Sequence, residues 1–217
     1  MPIHASLPQN LADHLTLLGG IAANRIIAQP SPGTATFDDW KAAHDQGVVC
    51  ELVDGTLVEK PMGFYESLLA ACLIRHFGIA SDEGRLGLTS GEQGFIRLPK
   101  CDQVRGPDVA FFLWDRLPDR KVPTDLVPTI APDIAVEVLS RSNTLAEMAT
   151  KRKEYFAAGT QLVWLVDPAS RSVAVYTSPL NCNVIDENGT LEGGEILPKL
   201  KISVEALFAE VDGAANR

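Results

Sequence analysis

Two short apolar runs constrain this chain more than any other feature. Residues 109–114 read VAFFLW and residues 133–139 read DIAVEVL. Turn chemistry bounds both, with Gly106-Pro107 before the first and Pro132 before the second. Runs of this length, rich in β-branched and aromatic residues, are strands buried on both faces of a sheet. Asp108 stands immediately before the first run, and Glu137 interrupts the apolar part of the second near its end. If the two strands pair antiparallel, the start of one adjoins the end of the other, so both carboxylates meet at one sheet edge. A carboxylate in such a run is costly to bury unless it is paired or bound to a cation. Two close carboxylates also raise each other's pKa. A hard divalent ion such as Mg²⁺ resolves both problems, because it takes oxygen ligands and commonly uses only one or two carboxylates.

The rest of the chain supplies layers for such a sheet. Thr36 caps a short helix over 37–46, and residues 48–60 form a hairpin around Asp54-Gly55. Apolar spacing predicts a core-facing helix over 64–77, ended by Gly78 or Gly84, and a second hairpin over 86–98. Residues 115–132 read as a long loop with four prolines. Thr144 caps a helix over 145–158 with Gly159 just beyond, and strands over 161–166 and 172–177 pair antiparallel. This order predicts a mixed α/β (α+β) domain over 37–212. Residues 1–36 read as an N-terminal extension with helical leucines at 11, 15 and 18 and a linker over 29–33.

The lysine that would complete the carboxylate pair lies on the helix after Glu137, where the candidates are Lys151 and Lys153. Helical spacing puts Thr144, Met148, Lys151, Tyr155 and Ala158 on one partly apolar face, so Lys151 can point toward the sheet edge. A lysine there can orient a water or neutralise charge on a phosphate oxygen. The plainer alternative is a solvated Lys151 paired with Glu147.

Pro107-Asp108 followed by Glu137-Val138-Leu139 resembles the PD-(D/E)xK nuclease superfamily. The chain is more closely similar to the Uma-two family of restriction-endonuclease-like proteins. The similarity rests on residues 51–58 (ELVDGTLV), 106–111 (GPDVAF), 132–140 (PDIAVEVLS), Lys151 through Tyr155, Ala157-Ala158-Gly159 and 164–168 (WLVDP), in family order over roughly 47–210. The resemblance implies a restriction-endonuclease-like core, a mixed β-sheet flanked by helices with an N-terminal β-hairpin. It implies that Asp108 and Glu137 bind Mg²⁺ or Mn²⁺, with the Val138 carbonyl as a further ligand. It also implies hydrolysis of DNA phosphodiesters. The usual lysine position, two after Glu137, is Leu139, and Lys151 matches related families that carry the lysine on the next helix. A further acid could hold a water at the metal: Glu66 on the helix before the sheet, or Glu51 on the hairpin. The two stay as alternatives. A second class of function is a catalytically silent binding or regulatory module that keeps the fold.

Composition limits the partners. The 217 residues carry a net charge of −9, which argues against a broad basic DNA-binding surface. The charge is uneven, however. Residues 37–66 sum to −5 and 186–217 to −4, whereas 97–121 and 140–155 sum to +2 each, flanking Asp108 and Glu137. No apolar stretch approaches the ~20 residues of a membrane span, and no leader pattern opens the chain, so the expected location is cytoplasmic. The four cysteines lack metal-site spacing and read as small buried apolar residues, and the histidines read as structural. A two-fold homodimer would suit cutting of both strands.

Overall fold

The structure, a computed structural model, describes residues 10–82, 84–99 and 103–213. The chain opens with α1 (Leu11–Leu17) and α2 (Phe37–Asp45), then the hairpin β1 (Cys50–Val53) and β2 (Thr56–Glu59), then α3 (Phe64–Ala80). β3 (Gly87–Gly91), β4 (Ile96–Arg97), β5 (Val104–Arg105) and β6 (Val109–Leu113) follow, then β7 (Ile134–Val138) and α4 (Leu145–Ala158). The chain continues through β8 (Leu162–Asp167), β9 (Ser172–Tyr176), β10 (Cys182–Ile185), β11 (Thr190–Gly193), β12 (Leu197–Ser203) and α5 (Val204–Asp212).

The main sheet has the order β10-β9-β8-β7-β6-β3. Only β7 and β8 run parallel, joined by α4 as the crossover, and the other neighbours are antiparallel. Side chains alternate between its faces. Val109, Phe111, Ile134, Val136, Trp164 and Val166 enter a core closed by α3, β12 and α5. Ala110, Phe112, Ala135, Val163 and Leu165 enter a second core under α4 and the proline-rich loop. Both strands carrying the isolated acids are therefore covered on both faces, as their composition predicts.

The hairpin belongs to a smaller sheet, β2-β1-β5-β4. Asp54 and Gly55 have φ of 45° and 68°, the backbone that a type I′ turn requires. Trp40 of α2 is fully buried against this sheet and donates its indole N–H to the Cys50 carbonyl at 2.7 Å. The chain passes from this sheet to the main one through Gly106-Pro107-Asp108.

Residues 10–36 pack onto the body. Leu18 and Ile21 join Val53 and Val58 in a small apolar cluster. His14 bonds the Thr56 hydroxyl at 2.7 Å, and the Thr144 hydroxyl donates to the Gly19 carbonyl at 2.5 Å. Arg25 is buried and pairs with Glu147 at 3.0 Å.

Some expectations are corrected. Residues 86–98 do not form a hairpin: β3 pairs with β6 in the main sheet, while β4 pairs with β5 in the small one. Alternation fixes a strand but not which sheet receives it, and the turn over residues 91–94 carries the chain between the two sheets. α3 runs through Gly78 to Ala80, because a helical glycine costs only about 1 kcal/mol and the flanking Phe77 and Ala80 are buried. Cys182 is exposed on the edge strand β10, whereas Cys50 is buried. Cys101 and His4 lie outside the described residues.

Candidate active site

Antiparallel pairing of β6 with β7 sets Val109 opposite Val136. Asp108, just before β6, then falls beside the end of β7, where its Oδ2 accepts the Val138 N–H at 2.6 Å. Alternation along β7 puts Glu137 on the same face as Ala135, toward α4. The Thr144 capping box starts α4, and Gly159 in the left-handed region ends it. Between them Met148, Lys151, Tyr155 and Ala158 form a buried stripe facing the sheet.

Glu137 is bonded from both sides by that helix. Lys151 Nζ lies 3.1 Å from its Oε2, and the Tyr155 hydroxyl donates to its Oε1 at 2.7 Å. Lys151 also lies 2.9 Å from Glu51 Oε1. Glu51 on β1 accepts from Arg105 at 2.8 Å and from the Gly106 N–H at 3.1 Å. It thereby fixes the turn that delivers Asp108. Arg105 reaches on to Glu154 of α4 at 2.6 Å, so one buried ionic network ties the hairpin, the turn and the helix together. Lys60, just past β2, forms a salt bridge with Asp108 Oδ1.

Of the sequence-predicted residues, Asp108, Glu137, Lys151 and Glu51 come together, and all four are buried. Val138 and Glu66 line the same cavity of about 20 Å³, together with Lys60, Arg25, Ser140 and Asn143. Glu66 is partly exposed and makes no hydrogen bond or ion pair among the described residues. Its carboxylate folds over Gly63 so closely that a Cβ there would lie 2.0 Å from Oε2. Lys151 is not the solvated partner of Glu147, which pairs with Arg25. Sequence reasoning missed Lys60, Arg105 and Arg25. The signal for Lys60 was a charge closing a hairpin strand just before a proline.

The electrostatics follow from shared cations. Burial pushes the Glu137 carboxyl up. Lys151 and Lys60 oppose the rise, but burial together with the nearby Asp108 and Glu51 charges outweighs them, and the net shift is upward. Burial also disfavours charge on Glu51, but Lys151, Arg105 and Lys60 outweigh it and hold this carboxyl well below the usual range. For Lys60 and Lys151 burial disfavours the ammonium, yet the surrounding carboxylates hold both above the ordinary lysine value. Burial, followed by Glu137, raises the Tyr155 phenol well above its ordinary value, so it stays a donor.

Among the described residues no three His, Cys, Asp or Glu side chains converge as a metal cage. The donors at the cavity suit Mg²⁺ or Mn²⁺ in another way. Hard oxygens of Asp108 and Glu137 border a space about the size of one water-sized sphere. Two carboxylates with waters are an ordinary Mg²⁺ set.

Residues 34–205 match the family Uma2, described as "Putative restriction endonuclease". The chain belongs to the Uma2 family. Among solved structures it is similar to a putative nuclease from Anabaena variabilis, with a TM-score of 0.71 and 22% identity. The match covers 81% of this chain and 98% of that one, and it shows that the two share a fold. No curated protein matches the chain. Uma2 membership supports a nuclease-type hydrolase. No helix among the described residues is long and apolar enough to cross a membrane.

Proposed function

We propose that this Uma2 protein is a metal-dependent DNA endonuclease hydrolysing phosphodiesters at the Asp108–Glu137 edge. The observation that carries the reading is the convergence of these two acids, from adjacent antiparallel strands, on one small cavity beside Lys151. Asp108 and Glu137, with the Val138 carbonyl, would hold Mg²⁺ or Mn²⁺. The metal supplies Lewis acidity toward a phosphoryl oxygen and a lowered pKa for water.

The chain's own residues prepare this edge. Tyr155 and Lys151 fix both Glu137 oxygens, and the Val138 N–H fixes Asp108, so neither carboxylate must reorganise when loaded. Lys151, held charged between Glu137 and Glu51, faces the cavity where phosphate charge would build. Glu66 on the cavity wall is the acid best placed to bind a water, while Glu51 acts through the Gly106 turn and Lys151.

The test is plasmid cleavage with Mg²⁺ or Mn²⁺. Glu137→Ala and Lys151→Met should each lower the rate by about a hundredfold or more. Unchanged activity in Glu137→Ala, or no cleavage with either metal across many DNAs, would overturn the proposal. The second reading, a silent binding module, is favoured by one observation: Asp108 and Glu137 are already neutralised by Lys60 and Lys151. Calorimetric titration separates the two, since the silent module binds no divalent ion. The proposal extends to a cytoplasmic homodimer. The free Cys50, Cys72 and Cys182 support a reducing location. Light scattering should give twice the 23.4 kDa chain mass.

A further inference from the structure

Lys60 stands where the two cavities of this face meet. It lines the small one with Asp108, Glu137 and Glu66. It also lines an open cleft of about 750 Å³ with Glu59, Met62, Phe64, Ser67 and Glu92. Its main chain is pinned, because the Lys60 N–H donates to the Val49 carbonyl at 3.1 Å and Pro61 follows. Its side chain is only 9% exposed and ends on Asp108. Its ammonium is thus the positive charge occupying the Asp108 side of the cavity. Two cations cannot share that oxygen at close range without strong repulsion. A lysine carries its charge on a flexible four-carbon stem, so the ammonium can leave while the backbone stays. The open cleft offers it Glu92, a partly buried acid close enough to feel the Lys60 charge.

Resting on the metal-site reading above, we propose that Lys60 is a built-in counter-ion that holds the Asp108 position until a divalent cation displaces its ammonium into the open cleft, where it faces Glu92 and an incoming phosphate. Metal entry and exposure of a positive charge to the substrate become one event. The Asp108 carboxylate is never left buried without a cation, a state that proteins avoid at high cost.

Calorimetric titration of the full chain with Mn²⁺, free of DNA, tests this. Lys60→Met and Lys60→Gln should bind Mn²⁺ about tenfold tighter than the wild type or more, and Lys60→Arg should not gain affinity. Asp108→Asn should abolish binding in every background. Thermal melting covers variants that fold poorly: Lys60→Met should melt lower than wild type without metal and gain more from Mn²⁺. Equal or weaker affinity in Lys60→Met, with binding still lost in Asp108→Asn, overturns the role of Lys60 and leaves the metal site standing. Tighter binding in Lys60→Arg as well overturns it by assigning the effect to packing. No Mn²⁺ binding by any form, wild type included, overturns the metal-site reading and this inference with it.

Discussion

Glu51 and Tyr155 make opposite demands on the buried network and give separable mutational outcomes. Glu51 has a folded pKa below its ordinary value of 4.5. Its contribution is therefore fully present above about pH 4.5 and is lost as the pH falls through the folded value. Urea unfolding between about pH 7 and 3 should show wild-type stability falling on acidification, and Glu51→Gln should be weaker at neutral pH with a flatter profile. A Glu51→Gln profile as steep as wild type would contradict this. Tyr155→Phe removes the donor to Glu137 Oε1 and leaves a buried carboxylate oxygen unpaired. The expected cost is about 1–3 kcal/mol by urea denaturation. Sequence revealed Asp108, Glu137 and Lys151 because each breaks a local pattern: an acid in an apolar run, or a lysine on an apolar helical stripe. Lys60 and Arg105 break no such pattern. Lys60 closes the predicted hairpin, where a charge is ordinary, and Arg105 lies on the two-residue β5, whose sheet partner alternation does not specify.

The elements around the site depend on close backbone approach as much as on side chains. Gly19 has φ of 86°, and a Cβ there would lie 2.5 Å from the Glu147 backbone nitrogen of α4. Gly19→Ala should strain its own backbone and push residues 10–27 off the helix. The expected loss is about 2 kcal/mol or more, with faster limited proteolysis near residue 19 as the check. The helix affected is the one that presents Lys151, so Mn²⁺ affinity should fall in parallel. α2, β1, β2 and α4 were readable from their caps and turns: Thr36, Asp54-Gly55, and the Thr144–Gly159 pair. The path over 86–98 was not. Its short strands carry no long-range information, and their partners lie on β5 and β6.

For the whole molecule, the net charge of −9 excludes a broad basic footprint, and part of the basic charge that flanks Asp108 and Glu137 in sequence is already paired: Arg105 is buried against Glu51 and Glu154, and Arg116 binds Asp133 at the opposite end of β7. DNA binding should be weak and fall steeply with salt. Fluorescence anisotropy between about 50 and 200 mM salt measures this, and a flat dependence would argue against phosphate-led contact. The packing of the hairpin against the main sheet has a consequence in time. Asp108, Glu137, Lys151 and Tyr155 come from β6 through α4, a stretch whose sheet contacts are formed between neighbouring elements. Glu51 and Lys60 join from more than 40 residues upstream, as in the Lys60–Asp108 pair, separated by 48 positions. Contacts of such separation bear the larger loop-closure cost and tend to come late. During refolding the sheet should therefore exist before its edge is ionically complete. A newly made chain would acquire its sheet first and the ion pairs that neutralise its buried acids last.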